Sequence, residues 1–429
     1  MQHISKNSTD SAETSTTVVV PERLVQGGAA LVRTDQGVAF VEGALPGEQV
    51  RIGPVHRDGG TPRADLVEIV QPSPHRRVPE CPLFGECGGC DWQHLEYREQ
   101  LRWKREILAE NFRRLGSVMI SAEDIGVISG AEYGYRSRVQ VHAAAEGTVG
   151  FRRRSSHDTI PVSHCPVATP AINAELTTLN HHTREDSSTH RTSRRVLVES
   201  DSGVAVGGVS RVATISLHGA PITFDPAGFS QSNRQLLPEL ALRLQQAYIG
   251  GPLVDLYAGA GLLTAMVLAG SPPDHTVPLQ DIVCVEPDRR NARHISANLA
   301  ARGYTDTVRV VAATAERAIT AAPLRRIAQP RITVIVDPPR GGLSKAVTRW
   351  LTGGGGAAGG GAAGGGGAAG EAPAERLIYV SCDAAALARD VGRMRGVYTV
   401  REITLVDFYP QTAHIEALVV LDRCQKRSA

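Results

Sequence analysis

The stretch Val254-Asp255-Leu256-Tyr257-Ala258-Gly259-Ala260-Gly261 decides how this chain of 429 residues folds. A short apolar run ends in a glycine turn, and Leu262–Ala269 then reads as a helix. Glycines at such a turn let backbone approach a ligand at the helix N-terminus. Working outward, Leu253–Tyr257, Asp281–Val285, Ile332–Val336 and Leu377–Val380 are apolar runs without polar alternation. Strands buried on both faces read this way. Helical segments such as Arg289–Arg302 lie between them, so residues from about Gly228 onward are expected to form a doubly wound α/β sheet.

Chemistry-bearing residues fall at the ends of these strands, the edge where open α/β sheets bind ligands. Glu286 follows Asp281–Val285 and suits two ribose hydroxyls. Thr264 stands where the dinucleotide fingerprint G-x-G-x-x-G needs its third glycine. That favours S-adenosylmethionine, which has no pyrophosphate to accommodate. In Asp337-Pro338-Pro339-Arg340 two prolines force an abrupt exit that leaves Asp337 at the sheet edge. Tyr379-Val380-Ser381-Cys382-Asp383 ends another strand with Cys382 as a candidate nucleophile. In Phe408-Tyr409-Pro410-Gln411-Thr412-Ala413-His414-Ile415-Glu416, the alternation about Ile415 is expected to turn His414 and Glu416 to one face of the last strand.

Together these residues suit methylation of carbon 5 of uracil. That carbon is a poor nucleophile until a thiolate adds to carbon 6 and makes the ring an enolate. A general base must later remove the carbon 5 proton; Glu416 is the first choice and His414 the second.

Short β-rich runs, Thr17–Val20, Gly28–Val32, Gly37–Val41 and Gln49–Gly53, suggest a small barrel over residues 17–77. Residues 78–227 mix a long helix, Glu96 to Leu115, with strand-like runs Arg138–Ala143 and Thr148–Phe151 and a polar loop from His181 to Arg195. Met1 to Thr16 is polar without an apolar h-region, so a short disordered tail is expected over residues 1–16 rather than a signal peptide. Residues 353–370 contain only Gly and Ala and are expected to loop away as a disordered insert.

Net charge is only +2, so a nucleic-acid surface has to be local. Candidates are Arg136, Arg138, Arg152, Arg153, Arg154 and the run from Arg98 to Arg114, whose interleaved glutamates also fit a solvated helix. Nothing approaches the roughly 20 apolar residues of a membrane span. A cytoplasmic protein is expected, whose seven cysteines serve metal or catalysis rather than disulfides. Cys81, Cys87 and Cys90 are spaced C-x5-C-x2-C, and Cys165 is the best fourth ligand. Spacing leaves zinc and an iron–sulfur cluster both open. Cys284 reads as a core residue.

In their order, these motifs resemble the uridine-5 RNA methyltransferases, specifically the 23S ribosomal RNA branch, from about Val18 to Leu421. The resemblance implies a C-terminal Rossmann-like class I methyltransferase domain (228–429), an OB-like TRAM barrel that binds RNA and a central mixed α+β domain. It makes Cys382 the nucleophile and Glu416 the base. It assigns S-adenosylmethionine contacts to Gln231, Tyr257, Glu286 and Asp337, and a [4Fe-4S] cluster to Cys81, Cys87, Cys90 and Cys165. Leu262 and Thr314 depart from the family pattern near the cofactor. A monomer acting on 23S ribosomal RNA, with the target base flipped out or presented from a loop, is the expectation. The alternatives are a transfer-RNA branch, which by the resemblance lacks the cysteine cluster and barrel, and a non-catalytic RNA-binding protein. Intact Asp337, Cys382 and Glu416 argue against the last.

Overall fold

The computed structural model describes residues 16–144, 148–182, 194–269, 282–304, 307–321, 324, 331–354 and 374–424. The expected tail up to residue 15, the loop at 183–193 and the Gly/Ala insert from residue 355 lie outside the described residues.

An eight-stranded sheet forms the centre. Its strands in chain order are β1 (Gly126–Ile128), β2 (Leu253–Leu256), β3 (Ile282–Val285), β4 (Val308–Val311), β5 (Thr333–Val336), β6 (Arg376–Ser381), β7 (Tyr398–Val406) and β8 (Glu416–Arg423). Across the sheet the order is β4-β3-β2-β5-β6-β8-β7-β1. Neighbours from β4 to β6 are parallel, and β8 runs antiparallel between β6 and β7. The order reverses between β2 and β5, which makes the crevice where such sheets hold ligands. Alternate residues face opposite layers: Val254, Leu256, Val334 and Val336 enter one buried cluster, Leu253, Ile282, Cys284 and Ile335 the other. Cys284 is therefore core, as its place in an apolar run implied.

The expected strands and helices reappear with ends moved by a residue or two. Helix Arg289–Ala300 is capped by Asp288, whose carboxylate accepts the Arg290 N–H. Helix Ala384–Met394 is capped by Asp383, which accepts from Ala386 N at 2.7 Å. That cap ends β6 abruptly and holds Cys382 in the turn between strand and helix.

β1 comes from the middle of the chain and pairs in parallel with β7. The long helix runs Tyr97–Asn111 and continues through a π turn, Phe112–Gly116. Gln100, Lys104, Ile107 and Leu108 are buried, while Glu99–Arg102 and Glu110–Arg113 pair on the outside. Those exposed pairs fit a solvated helix face better than a nucleic-acid surface. Beyond it, a five-stranded antiparallel sheet (Thr159–Pro161, Val149–Arg152, Arg138–Ala143, Arg194–Ser200, Gly203–Val206) packs Val139, Val141 and Leu197 against Ile172 and Leu176 of helix Pro170–His182.

Residues 17–77 build two small sheets, one of three strands and one of five. Their strands include Arg23–Leu24, His56–Asp58, Thr61–Arg63 and Leu66–Gln71, which are too short or too polar to stand out in the sequence. Val32, Val41, Val50 and Ile52 are fully buried between them. Glu48, also buried, accepts from Arg76 at 2.6 Å and from the Ser73 and Leu45 N–H groups, fastening the module to the segment that follows. Among the described residues no helix is long and apolar enough to cross a membrane.

Candidate active site

Strand register sets the site. Val285, Leu256 and Val336 are aligned across β3, β2 and β5. The next residues, Glu286, Tyr257 and Asp337, therefore leave the sheet side by side. β8 is antiparallel, so its first residue rather than its last arrives at this edge. Ser381 pairs with Ala417, which places Cys382, one step past β6, opposite Glu416 at the start of β8.

A cleft beside this row is lined by Phe229, Ser230, Gln231, Tyr257, Gly259 and Asp337 among others. Tyr257 sits at φ 69°, strained for a residue with a side chain, and Gly259 at 57°. A Cβ on Gly259 would meet nothing within 4 Å, so its bare face borders open space. The Gly259 N–H donates to Glu286 Oε2 and Asp288 N–H to Oε1, each at 2.9 Å. Burial still raises the Glu286 carboxyl above its ordinary value. Under the turn, Thr264 Oγ donates to buried Asp255 at 2.6 Å. Burial pushes Asp255 up to about 7. The residue that replaces the fingerprint's third glycine thus has a polar partner in the core.

Glu416 is buried, and Gln231 Nε2 makes a long contact with its Oε1 at 3.5 Å. Burial, then the neighbouring Asp337 charge, raise Glu416 to about 8. Asp337 is itself raised to about 7 by burial and by Asp255. Cys382 is exposed as a residue, yet partial burial of its thiol and the charges of Glu416 and Asp337 push it up, opposed by Arg340. The site thus collects proton-holding acids around a reachable thiol.

His414 is not where the alternation pointed. It precedes β8 and is exposed, whereas Glu416 is buried. The chain turns through Gln411–Ala413 before the strand begins, so period-two logic does not yet apply. Tyr409 stacks edge-on against its ring at 5.6 Å.

Cys81, Cys87, Cys90 and Cys165 line one cavity of about 340 Å³ together with Phe84, Gln93 and Arg136. Among the described residues no three His, Cys, Asp or Glu side chains stand close enough to hold a metal ion. Burial raises the Cys87 and Cys165 thiols, and Cys90 to about 12. Of the basic candidates, Arg154 donates to Cys90 O at 2.7 Å and pairs with Asp91 at 3.2 Å, and Arg153 pairs with Glu86 at 2.9 Å. Arg138 is half-buried and donates to Pro226 O. These side chains brace the protein's own loops.

A protein of Streptomyces coelicolor described as an uncharacterized RNA methyltransferase is 30% identical over 94% of this chain and 92% of its own. A 23S rRNA (uracil(1939)-C(5))-methyltransferase, RlmD, of Chromohalobacter salexigens is 30% identical over 94% and 88%. This chain belongs to the S-adenosylmethionine-dependent RNA (uracil-C5) methyltransferases. No protein-family model matches it. Among solved structures, a Pyrococcus abyssi tRNA (uracil-54, C5)-methyltransferase with S-adenosyl-L-homocysteine has a TM-score of 0.70 at 18% identity, covering 94% of this chain and 100% of its own. The fold of this methyltransferase is therefore the class I fold.

Buried Ser230 Oγ and Gln231 Oε1 have no partner within the protein. Both line the cleft, and unsatisfied buried polar atoms are costly unless a ligand meets them. The cleft therefore fits the methyl donor of the family. Sequence reading passed over Lys104, Gln100 and Asn298, although Lys104 donates to the Tyr409 carbonyl, Gln100 to Gln411 and Asn298 to the glycine turn. Asn298 is buried and joins Thr223 to the Ala260 carbonyl of the glycine turn, at 2.8 Å each. Their one visible signal is polarity on an otherwise apolar helix face.

Proposed function

We propose that this methyltransferase acts on a uridine of 23S ribosomal RNA, with Cys382 as nucleophile and Glu416 as base. The observation that carries the roles is the antiparallel β8, which brings Glu416 opposite Cys382 beside the cleft. Bound S-adenosylmethionine supplies an electrophilic methyl group and a positive charge. In this reading Tyr257, Glu286, Asp337 and Gln231 hold it.

Cys382 Sγ adds to carbon 6 of the flipped base, and carbon 5 then takes the methyl group. Glu416 removes the carbon 5 proton, and the Cys382 bond breaks to restore the ring. Were the donor held by these residues, its positive charge would favour the anionic forms of Asp337, Glu416 and Cys382, opposing the burial that raises them. Gln231 holds one Glu416 oxygen and leaves the other for the proton.

The 23S substrate is supported by the names of the RlmD relatives. Transfer RNA is the second reading, because the fold is shared with a tRNA enzyme. Residues 17–77 would form the RNA-binding barrel, 78–227 the central domain and 228–429 the catalytic domain of a cytoplasmic monomer. The four cysteines would hold a [4Fe-4S] cluster. All four thiols line the one cavity, a donor set that suits such a cluster. Nucleoside mass spectrometry on 23S and transfer RNA transcripts tests the substrate. 5-Methyluridine in transfer RNA alone would overturn the ribosomal reading.

A further inference from the structure

Residues 407–415 link β7 to Glu416, and Gln411 lies midway, fully buried at φ 67°. Its carbonyl accepts both the Asp91 and Trp92 N–H groups at 3.0 Å. Its own N–H donates to Gln100 Oε1 at 2.9 Å. Its side-chain oxygen accepts from Gln100 Nε2 at 2.9 Å and from Arg77 at 2.8 Å, and its Nε2 donates to Glu132 at 3.3 Å. Asp91 grips the segment a second time, because its Oδ2 accepts the Ala413 N–H at 3.2 Å. Asp91 directly follows Cys90, whose residue lines the cysteine cavity, and Arg154 ties the Cys90 carbonyl to the Asp91 carboxylate.

A buried amide used on nearly every atom has one arrangement that satisfies it, so it transmits displacement rather than absorbing it. We propose that Gln411 is a positioning residue that couples the four-cysteine cavity to Glu416. A group held by Cys90 fixes Asp91 and Trp92, these fix Gln411, and Gln411 sets where β8 begins. Without the cysteine-held group the Asp91–Trp92 grip loosens, and Glu416 loses register with Cys382. The inference rests on reading Glu416 as the base, whose failure leaves methylated RNA bound to Cys382.

Two measurements on the full chain test it. First, hydrogen exchange of peptides spanning 407–416 is compared before and after the protein is stripped with phenanthroline, which removes iron and zinc alike. Exchange at 411–416 is expected to speed by about tenfold or more, and unchanged exchange there overturns the coupling. Second, Gln411→Met, Cys90→Ser and the double variant are given S-adenosylmethionine and the RNA transcript. The share of methylated RNA still bound to protein on a denaturing gel is then read. Each single variant is expected to raise that share by about tenfold, with the double variant no worse than either. Wild-type shares in both singles, or effects that multiply in the double, overturn the proposal. Wild-type protein that forms no 5-methyluridine would instead sink the functional reading and leave the exchange result standing.

Discussion

Replacing Glu416 by Gln separates what its carboxyl does for the reaction from what its burial does to the fold. Burial raises this group from 4.5 to about 8, with Asp337 adding to the rise and Gln231 opposing it. Below pH 4.5 folded and unfolded chains both hold the proton, so the group costs nothing. Between 4.5 and 8 the unfolded chain ionises and the folded one does not, so stability falls as pH rises. At about 1.4 kcal/mol per unit, the upper limit of the loss is about 5 kcal/mol above pH 8. Glu416→Gln removes the titration while keeping a side chain of the same shape against Gln231. The variant should match wild type near pH 4.5 and exceed it at pH 9, the gap opening in between. At about 2–4 °C per kcal/mol for a domain of this size, the upper limit of the gap is about 10–20 °C in the unfolding midpoint. The assay is thermal unfolding of both proteins from pH 4.5 to 9. In a single turnover the same variant should methylate RNA and retain it on Cys382. A stability gap that stays constant with pH, or a wild type more stable at pH 9, would refute the reasoning.

Cys382→Ala should abolish 5-methyluridine without changing the unfolding free energy by more than about 0.5 kcal/mol; nucleoside mass spectrometry reads the first and calorimetry the second. Lys104 and Asp407 form an ion pair at 2.6 Å with both side chains fully buried. Lys104→Met leaves Asp407 buried without its cation and should cost about 3–5 kcal/mol in urea unfolding, whereas an apolar replacement of both partners should recover most of it. Gly28 sits at φ +93°, and a Cβ there would lie 2.7 Å from Ala413 Cβ. Gly28→Ala should therefore lower stability by about 1–3 kcal/mol and reduce turnover, because the clash pushes on the segment leading to Glu416.

Five of the eight strands, β2, β3, β5, β6 and β8, were legible as apolar runs, whereas β1, β4 and β7 were not singled out in the sequence. Asp337-Pro338-Pro339 and Ser381-Cys382-Asp383 could be placed at a strand end from local chemistry alone, and the structure puts both there. His414 could not be placed. Its face depended on where β8 begins, and that is set by the buried turn at Gln411, whose partners lie more than 270 residues away in sequence. The short strands of residues 17–77 were half legible: runs such as Thr61–Arg63 carry no pattern and form only because a neighbouring strand supplies their hydrogen bonds. The four cysteines were readable as a set from spacing, and in the structure all four line one cavity.

By itself, the sequence determined the fold class, the residue types at the reacting centre and the order in which they occur. Apolar periodicity and turn chemistry are local properties, and each is written within a dozen neighbouring residues. The tertiary structure alone decided that Cys382 stands opposite Glu416 across β6 and β8, that Asp337 acts on the charge of both, and that Gln411 ties the segment before Glu416 to the cysteine loop. Those relations depend on strand direction, register and burial. They are fixed only when distant segments exclude water from the same space, where a charge or an amide must find a partner or shift its proton.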